Sequence, residues 1–180
     1  MDQRIELVPL LCPQCSTPVP AEEIEVAWAC AQCGQGIYLD PETGPQRLQI
    51  YYSAAIPVNN QGKPYWVADG RVTMQREAYR SDNRSVQEAE SFWSQTRRFF
   101  IPAFTAPLET LLAQAVDLLL QPPIVKAGPP AGFEPVTLSL DDVPAVAEFI
   151  VIAVEAGRKD KLKRIDPDIK LSPPALWILP

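Results

Sequence analysis

Two short stretches decide the fold of the N-terminal part, Cys12-Pro-Gln-Cys15 and Cys30-Ala-Gln-Cys33. They contain the only four cysteines of the chain, and fourteen residues separate the two CxxC pairs. Four thiolates can surround a zinc ion as a tetrahedron with Zn–S distances of about 2.3 Å, and structural zinc sites fill all four positions with protein ligands. The spacing lies just below the usual range for two CxxC pairs that share one zinc ion. We therefore predict that Cys12, Cys15, Cys30 and Cys33 bind one metal ion.

The residues around the cysteines predict a small β-hairpin. Ile24, Val26 and Trp28 recur at every second position, as in a strand with one apolar face, and residues 37–39 form the next apolar run. Gly34 follows the second pair, where a glycine lets backbone N–H groups approach the sulfurs. A hairpin this short buries little apolar surface, so metal binding and folding are expected to be one event.

This arrangement resembles the four-cysteine zinc-ribbon class over residues 8–40. The resemblance implies metal at all four cysteines, but the class includes transcription factors, RNA-processing proteins, rubredoxin-like iron sites and adaptors. Each pair alone is also compatible with buried thiols or a redox pair, and iron suits an all-sulfur tetrahedron as well as zinc does. The chain has no histidine, so the mixed ligand sets of many catalytic zinc sites are excluded. We expect a structural ion, Zn²⁺ with Fe as the alternative.

Charge is unevenly distributed along the 180 residues. Residues 1–45 contain one basic and seven acidic residues, which account for the whole net charge of −6. Nucleic-acid binding requires cationic side chains that displace counterions from phosphate, so an acidic ribbon is a poor candidate for that role. It suits a basic protein partner or a basic face of the chain's own second domain.

The expected location is the cytoplasm. No secretory signal opens the sequence, and its longest apolar run is far shorter than the roughly 20 residues of a membrane-spanning helix. Because all cysteines are assigned to metal, disulfides are not expected, and a reducing compartment follows.

The turn-rich segment 40–46 divides the chain into a predicted zinc ribbon, residues 1–45, and a second domain, residues 46–180. Hydrophobic periodicity and Pro/Gly punctuation predict the elements of the second domain. The predicted strands are 47–58, 64–74 with a bulge at Gly70, 98–104, 135–140, 162–165 and 175–179, and the predicted helices are 85–97, 105–121 and 141–157. This order predicts an α+β fold in which two or three helices pack on a mainly antiparallel sheet.

Further motifs extend the resemblance over most of the chain. Pro64-Tyr-Trp66, Phe100-Ile-Pro-Ala-Phe104 and the apolar C-terminal run are similar to features of an uncharacterised bacterial group of zinc-ribbon proteins. The likeness implies the same two-part architecture and carries no activity.

The sequence predicts no catalytic or cofactor-binding residues. Without histidine the chain has no imidazole base. The pair Asp141-Asp142 is explained by helix capping, and Asp166-Pro-Asp168 lacks the glycine and distal glutamate of a calcium loop and is interpreted as a turn. Phosphate-binding and nucleophile motifs are absent from the sequence.

Two segments are rich in Arg and Lys, residues 71–98 and 158–170. Both also contain acids, so a solvated mixed-charge surface is the simplest interpretation. The leading hypothesis is a non-enzymatic protein-interaction or adaptor module with a structural zinc site. The alternatives are a nucleic-acid-binding zinc ribbon that uses the two basic segments and, with least support, an enzyme with a site in the second domain.

Overall fold

Two β-sheets organise the chain. The structure, a computed structural model, describes residues 9–79, 83–158 and 162–180. These residues form eight strands and three helices, in which a small antiparallel sheet precedes a larger sheet packed with helices. The predicted α+β class is confirmed.

The N-terminal sheet has the order β1-β2-β3, with β1 at Ala27–Ala29, β2 at Gly36–Asp40 and β3 at Gly44–Leu48. The predicted hairpin corresponds to β1 and β2. Only the last two residues of this third strand were predicted to be extended, because residues 40–46 contain only turn-forming signals. The single strand predicted over residues 47–58 is wrong in its extent: the structure divides it between β3 and a separate short strand at Ile50–Tyr52, and residues 53–58 lie outside the strands. Asp40 Oδ1 accepts the N–H groups of Glu42 and Thr43, and Gly44 adopts a φ of +80°, which turns the chain directly back into β3.

The larger sheet surrounds one long strand, β5, which runs from Lys63 to Ala78. The other strands are β4 (Ile50–Tyr52), β6 (Arg97–Pro102), β7 (Leu162–Leu171) and β8 (Ala175–Leu179). The order is β4-β8-β5-β6, and β7 pairs with the C-terminal half of β5. Only the β4–β8 pair is parallel among these strands, so the sheet is mainly antiparallel, as predicted.

The bulge predicted at Gly70 is wrong. The register continues through Gly70, which pairs with Arg97 on one side and Leu171 on the other, and the irregularity lies between Glu77 and Ala78. The glycine is needed because a Cβ at position 70 would lie 2.6 Å from the ring of Phe99. Gly70 therefore provides space for a core aromatic side chain.

The three helices are α1 (Asn83–Trp93), α2 (Leu108–Leu120) and α3 (Val143–Ala156). All three were predicted to within a few residues. Asp142 occupies the N-cap position of α3 but makes no side-chain cap bond, and its Oδ2 instead accepts the hydroxyl of Ser139 at 2.9 Å.

Two local predictions are corrected. Residues 135–140 are a loop and not a strand, since only Val136 makes a β-bridge, to Ala27. Val136 is fully buried. The apolar character of this segment therefore reflects packing against the ribbon and not pairing within a sheet. Asp166-Pro-Asp168 is not a turn. It lies within β7, where Pro167 pairs with Met74. Among the described strands β7 pairs with β5 alone, and such an edge strand tolerates proline because one side of its backbone needs no ladder hydrogen bonds.

The core joins the ribbon to the larger sheet. One face of the sheet, with Trp66 and Phe99, packs against α3, and the buried residues of α2 join this same core. The opposite face, with Tyr65 and Phe100, packs against other side chains of α2. Tyr38 of β2 enters the first core and meets Trp66 edge-on, with ring centroids 6.3 Å apart. Strand β3 crosses the boundary placed between residues 45 and 46, and the division at that boundary remains a prediction.

Candidate metal centre

Each CxxC pair folds into the same tight turn. The N–H of Cys12 donates to the carbonyl of Thr17 at 2.9 Å, and the N–H of Ser16 returns to the carbonyl of Cys12 at 2.9 Å. In the second turn, Cys30 donates to Gln35 at 2.8 Å and Gly34 donates to Cys30 at 2.8 Å. The two turns are therefore equivalent halves of one site.

Both turns need a left-handed residue directly after their second cysteine. Ser16 has a φ of +59° and Gly34 a φ of +73°. Glycine adopts this region readily, whereas another L-residue is strained by roughly 1–2 kcal/mol. Gly34 thus supplies the left-handed conformation that its turn requires, and Ser16 adopts the same conformation with strain. The expected approach of backbone N–H groups to the sulfurs stays a prediction.

The four sulfur atoms converge at metal-binding distances. Cys12 Sγ lies 3.7 Å from Cys33 Sγ, Cys15 Sγ lies 3.6 Å from Cys30 Sγ, and all four lie within 4.8 Å of one another. A tetrahedron with metal–sulfur distances of about 2.3 Å has sulfur–sulfur edges of about 3.8 Å. A disulfide requires about 2.05 Å. The four cysteines that the sequence singled out can therefore hold one metal ion.

The site is apolar on one side and faces solvent on the other. Cys12 and Cys30 are buried, while Cys15 and Cys33 are exposed. Trp28 and Ile37 form a small core with the two buried cysteines. Ribbon packing and sulfur positions consequently depend on each other.

Electrostatics disfavour four thiolates without a cation. The nearby Thr17 hydroxyl, 3.2 Å from Cys15 Sγ, and the Thr17 backbone lower the pKa of Cys15 to about 6. The backbone of Gln35 acts in the same direction on Cys33, but desolvation and the three neighbouring thiols raise the pKa of Cys33 to about 12. A bound divalent cation would favour the thiolate form of the cysteines, because coordination deprotonates thiols.

One ribbon carboxylate has a structural role that the sequence did not indicate. Glu25 Oε2 accepts the indole N–H of Trp28 at 2.7 Å and the backbone N–H of Glu22 at 2.9 Å. Asp40 is likewise engaged, since N–H groups from Thr43 and Glu42 lower its pKa. Both carboxylates therefore fix the ribbon backbone.

Other ribbon acids lie on the surface next to exposed apolar side chains. Glu22, Glu23 and Glu42 are exposed. Ile24, which follows two of them, is 59% exposed, and Leu39 of β2 is 38% exposed. The ribbon surface thus combines negative charge with apolar contact area.

Several side chains of the two basic segments pair with acids on β5 and α1. Arg98 contacts Asp69 at 2.8 Å and lowers the pKa of that carboxyl group, and Lys163 contacts Glu77 at 3.1 Å. Arg84 pairs with Glu88 along α1. These contacts fit the mixed-charge interpretation of segments 71–98 and 158–170.

The most deeply buried charged group, Glu155 of α3, was missed. Glu155 is completely buried, and its Oε1 accepts the indole N–H of Trp93 at 2.7 Å and the Nε–H of Arg158 at 2.6 Å. Its Oε2 lies 2.9 Å from Arg76 Nε, an ionic contact without hydrogen-bond alignment. The cluster ties α1, α3 and β5 together. The available signal was a carboxylate that directly follows the apolar run 149–154 of α3.

The other acidic pairs lie at the surface. Asp141 and Asp142 are exposed before α3. Asp168 Oδ2 accepts the hydroxyl of Thr73 at 3.5 Å on the outer side of the β5–β7 pair.

No helix within the described part of the chain is long and apolar enough to cross a membrane. No protein-family model, curated protein or solved structure matches this chain. The site therefore stands on its own geometry, a cluster of four cysteines arranged for a metal ion.

Proposed function

We propose that this chain is a non-enzymatic zinc-ribbon protein in which a structural four-cysteine zinc site supports an acidic protein-binding surface. The observation that supports this proposal most directly is the geometry of the four sulfurs, which lie within 4.8 Å of one another. Two of the pairs are 3.6 and 3.7 Å apart, close to the edge of a zinc–sulfur tetrahedron. Four protein ligands complete a zinc site and leave no coordination position for a substrate. In this proposal the ion stabilises the ribbon and takes no part in a reaction.

Zinc is proposed over iron because the role is structural and requires no change of redox state. The thiols must remain reduced to bind metal, so we place the protein in a reducing compartment such as the cytoplasm. That the chain belongs to an uncharacterised bacterial group of zinc-ribbon proteins is likewise a proposal.

The partner we propose is a protein with a basic surface around an apolar centre. Glu22 and Glu23 are exposed beside Ile24, which presents 59% of its surface to solvent. Protein interfaces combine an apolar centre with a polar rim, and complementary charge accelerates association. The same negative charge opposes binding to nucleic-acid phosphates.

A paired charge-reversal experiment tests this function. Full-length zinc-loaded protein and its E22K/E23K variant serve as baits in quantitative affinity purification from the native cell, beside an E109K/D117K control. The control makes the same change of charge at exposed positions of α2. We expect a set of partners with basic surfaces that E22K/E23K and zinc-chelated protein lose and the control retains. Equal recovery by all baits, or steeply salt-dependent binding to DNA or RNA, would contradict the proposal.

A further inference from the structure

Strand β5 has an edge that β6 covers only in part. β6 pairs with β5 from Tyr65↔Pro102 to Gly70↔Arg97, whereas β5 continues to Ala78. Along this extension β7 pairs with one edge of β5, and no strand from residues 9–79, 83–158 or 162–180 pairs with the other. Helix α1 lies between β5 and β6 in sequence. We call the second edge, from residue 71 to residue 78, the open edge.

The register identifies backbone groups that point to the open edge. Asp69 donates its N–H to Ser172 Oγ at 3.0 Å and accepts the N–H of Ser172 at 2.8 Å, so its backbone groups point toward the β7–β8 side. These directions alternate along a strand. Val72 and Met74 therefore point their N–H and C=O groups toward the open edge.

A groove of about 460 Å³ separates this part of β5 from α1. Val72, Thr73 and Met74 line it in succession. Because consecutive strand side chains point to opposite faces, three neighbours can share a groove only where it follows the strand edge. The opposite wall belongs to α1, which contributes the apolar Val86, Ala89 and Trp93 together with Glu90. Arg76 and Ser94 add further polar atoms to the lining. The volume lies within the roughly 300–1,000 Å³ of protein ligand clefts.

We propose that this groove binds an extended segment of a partner protein, which adds to β5 as its next strand and continues the line of β6. Backbone donors and acceptors at every second residue, about 6.6 Å apart, match another strand and neither a helix nor a small apolar molecule. Main-chain bonds to Val72 and Met74 hold the segment, and alternate apolar side chains contact Val86 and Ala89. The groove contains no ribbon residue, so this proposal is independent of the ribbon's function.

The test uses the full-length zinc-loaded protein and a library of random peptides. Selected peptides are synthesised, and amide hydrogen exchange is followed residue by residue by NMR with and without peptide. We expect peptides with apolar residues at alternate positions, which slow exchange at Val72 and Met74 by about tenfold or more. The amides of Thr73 and Gln75 point toward β7 and should change much less, which provides an internal control.

A matched pair of variants locates the binding site. Val86→Glu places a carboxylate in the α1 wall, whereas Gln87→Glu places the same charge at the next, exposed position. The first should weaken peptide binding by about tenfold or more and the second should leave it unchanged. If Val86→Glu unfolds the protein, the location of the binding site is decided by the amide exchange pattern of the wild-type protein alone.

Three results would overturn the proposal. One is the absence of any enriched peptide, and another is protection that falls outside β5. The third is slow exchange at Val72 and Met74 without peptide in a concentration-dependent dimer, which would identify a second copy as the occupant. Loss of peptide binding in E22K/E23K would instead assign the peptides to the ribbon.

Discussion

Replacement of Glu155 by glutamine should destabilise the protein strongly. The side chain is fully buried, and those of Arg76 and Arg158 are only 10% and 19% exposed. One carboxylate oxygen faces Trp93 and Arg158 and the other faces Arg76. A glutamine must turn its NH₂ group toward an arginine in either orientation. Removing one partner of a buried ion pair costs about 3–5 kcal/mol.

We expect about 3 kcal/mol for Glu155→Gln, because the residual exposure of Arg158 lets water compensate part of the loss. The assay is urea unfolding at fixed zinc concentration, followed by tryptophan fluorescence and circular dichroism. Glu148→Gln is the control, since Glu148 is exposed on the same helix and should change the free energy of unfolding by no more than about 0.5 kcal/mol. Equal stability of the two variants would refute the assigned role of the cluster.

Three further variants test local geometry by the same unfolding assay. Ser16→Gly should stabilise the protein by about 0.5–1 kcal/mol because it relieves a left-handed serine, whereas Gly34→Ser should destabilise it. A Ser16→Gly variant that is no more stable than the wild type, or a Gly34→Ser variant that is as stable as the wild type, would contradict the assigned strain. Gly70→Ala should cost about 1–3 kcal/mol by overpacking, and Gly132→Ala, which has ordinary contacts, should be near neutral. Burial raises the pKa of Tyr65 to about 12. The neutral form of Tyr65 therefore contributes stability below pH 10 that is lost as the pH rises toward 12. In Tyr65→Phe the free energy of unfolding should depend less on pH across that window.

The cluster of four cysteines was predictable because it depends on spacing that is local in the sequence. Cys12, Cys15, Cys30 and Cys33 are close within each pair, and a hairpin suffices to bring the pairs together. Helices α2 and α3 were similarly predictable from hydrophobic periodicity, since each presents buried residues at helical spacing.

The remaining features depend on partners that are distant in sequence. Val136 reads as part of a strand, yet its partner is the edge of β1, more than a hundred residues earlier. In the sequence, Gly70 suggests a bulge, and only the position of the Phe99 ring shows that the glycine is needed for space. Glu155 acquires its role only when Trp93 and Arg76 converge on it. Such contacts are determined by tertiary packing, which no local pattern encodes.

X-ray absorption spectroscopy of the purified protein measures directly whether four sulfurs surround one structural ion. We expect one zinc per chain with four sulfur neighbours at about 2.3 Å and no oxygen or nitrogen ligand. A bound water in the first coordination shell, fewer than four sulfurs, or cysteines joined as disulfides without metal would contradict this expectation.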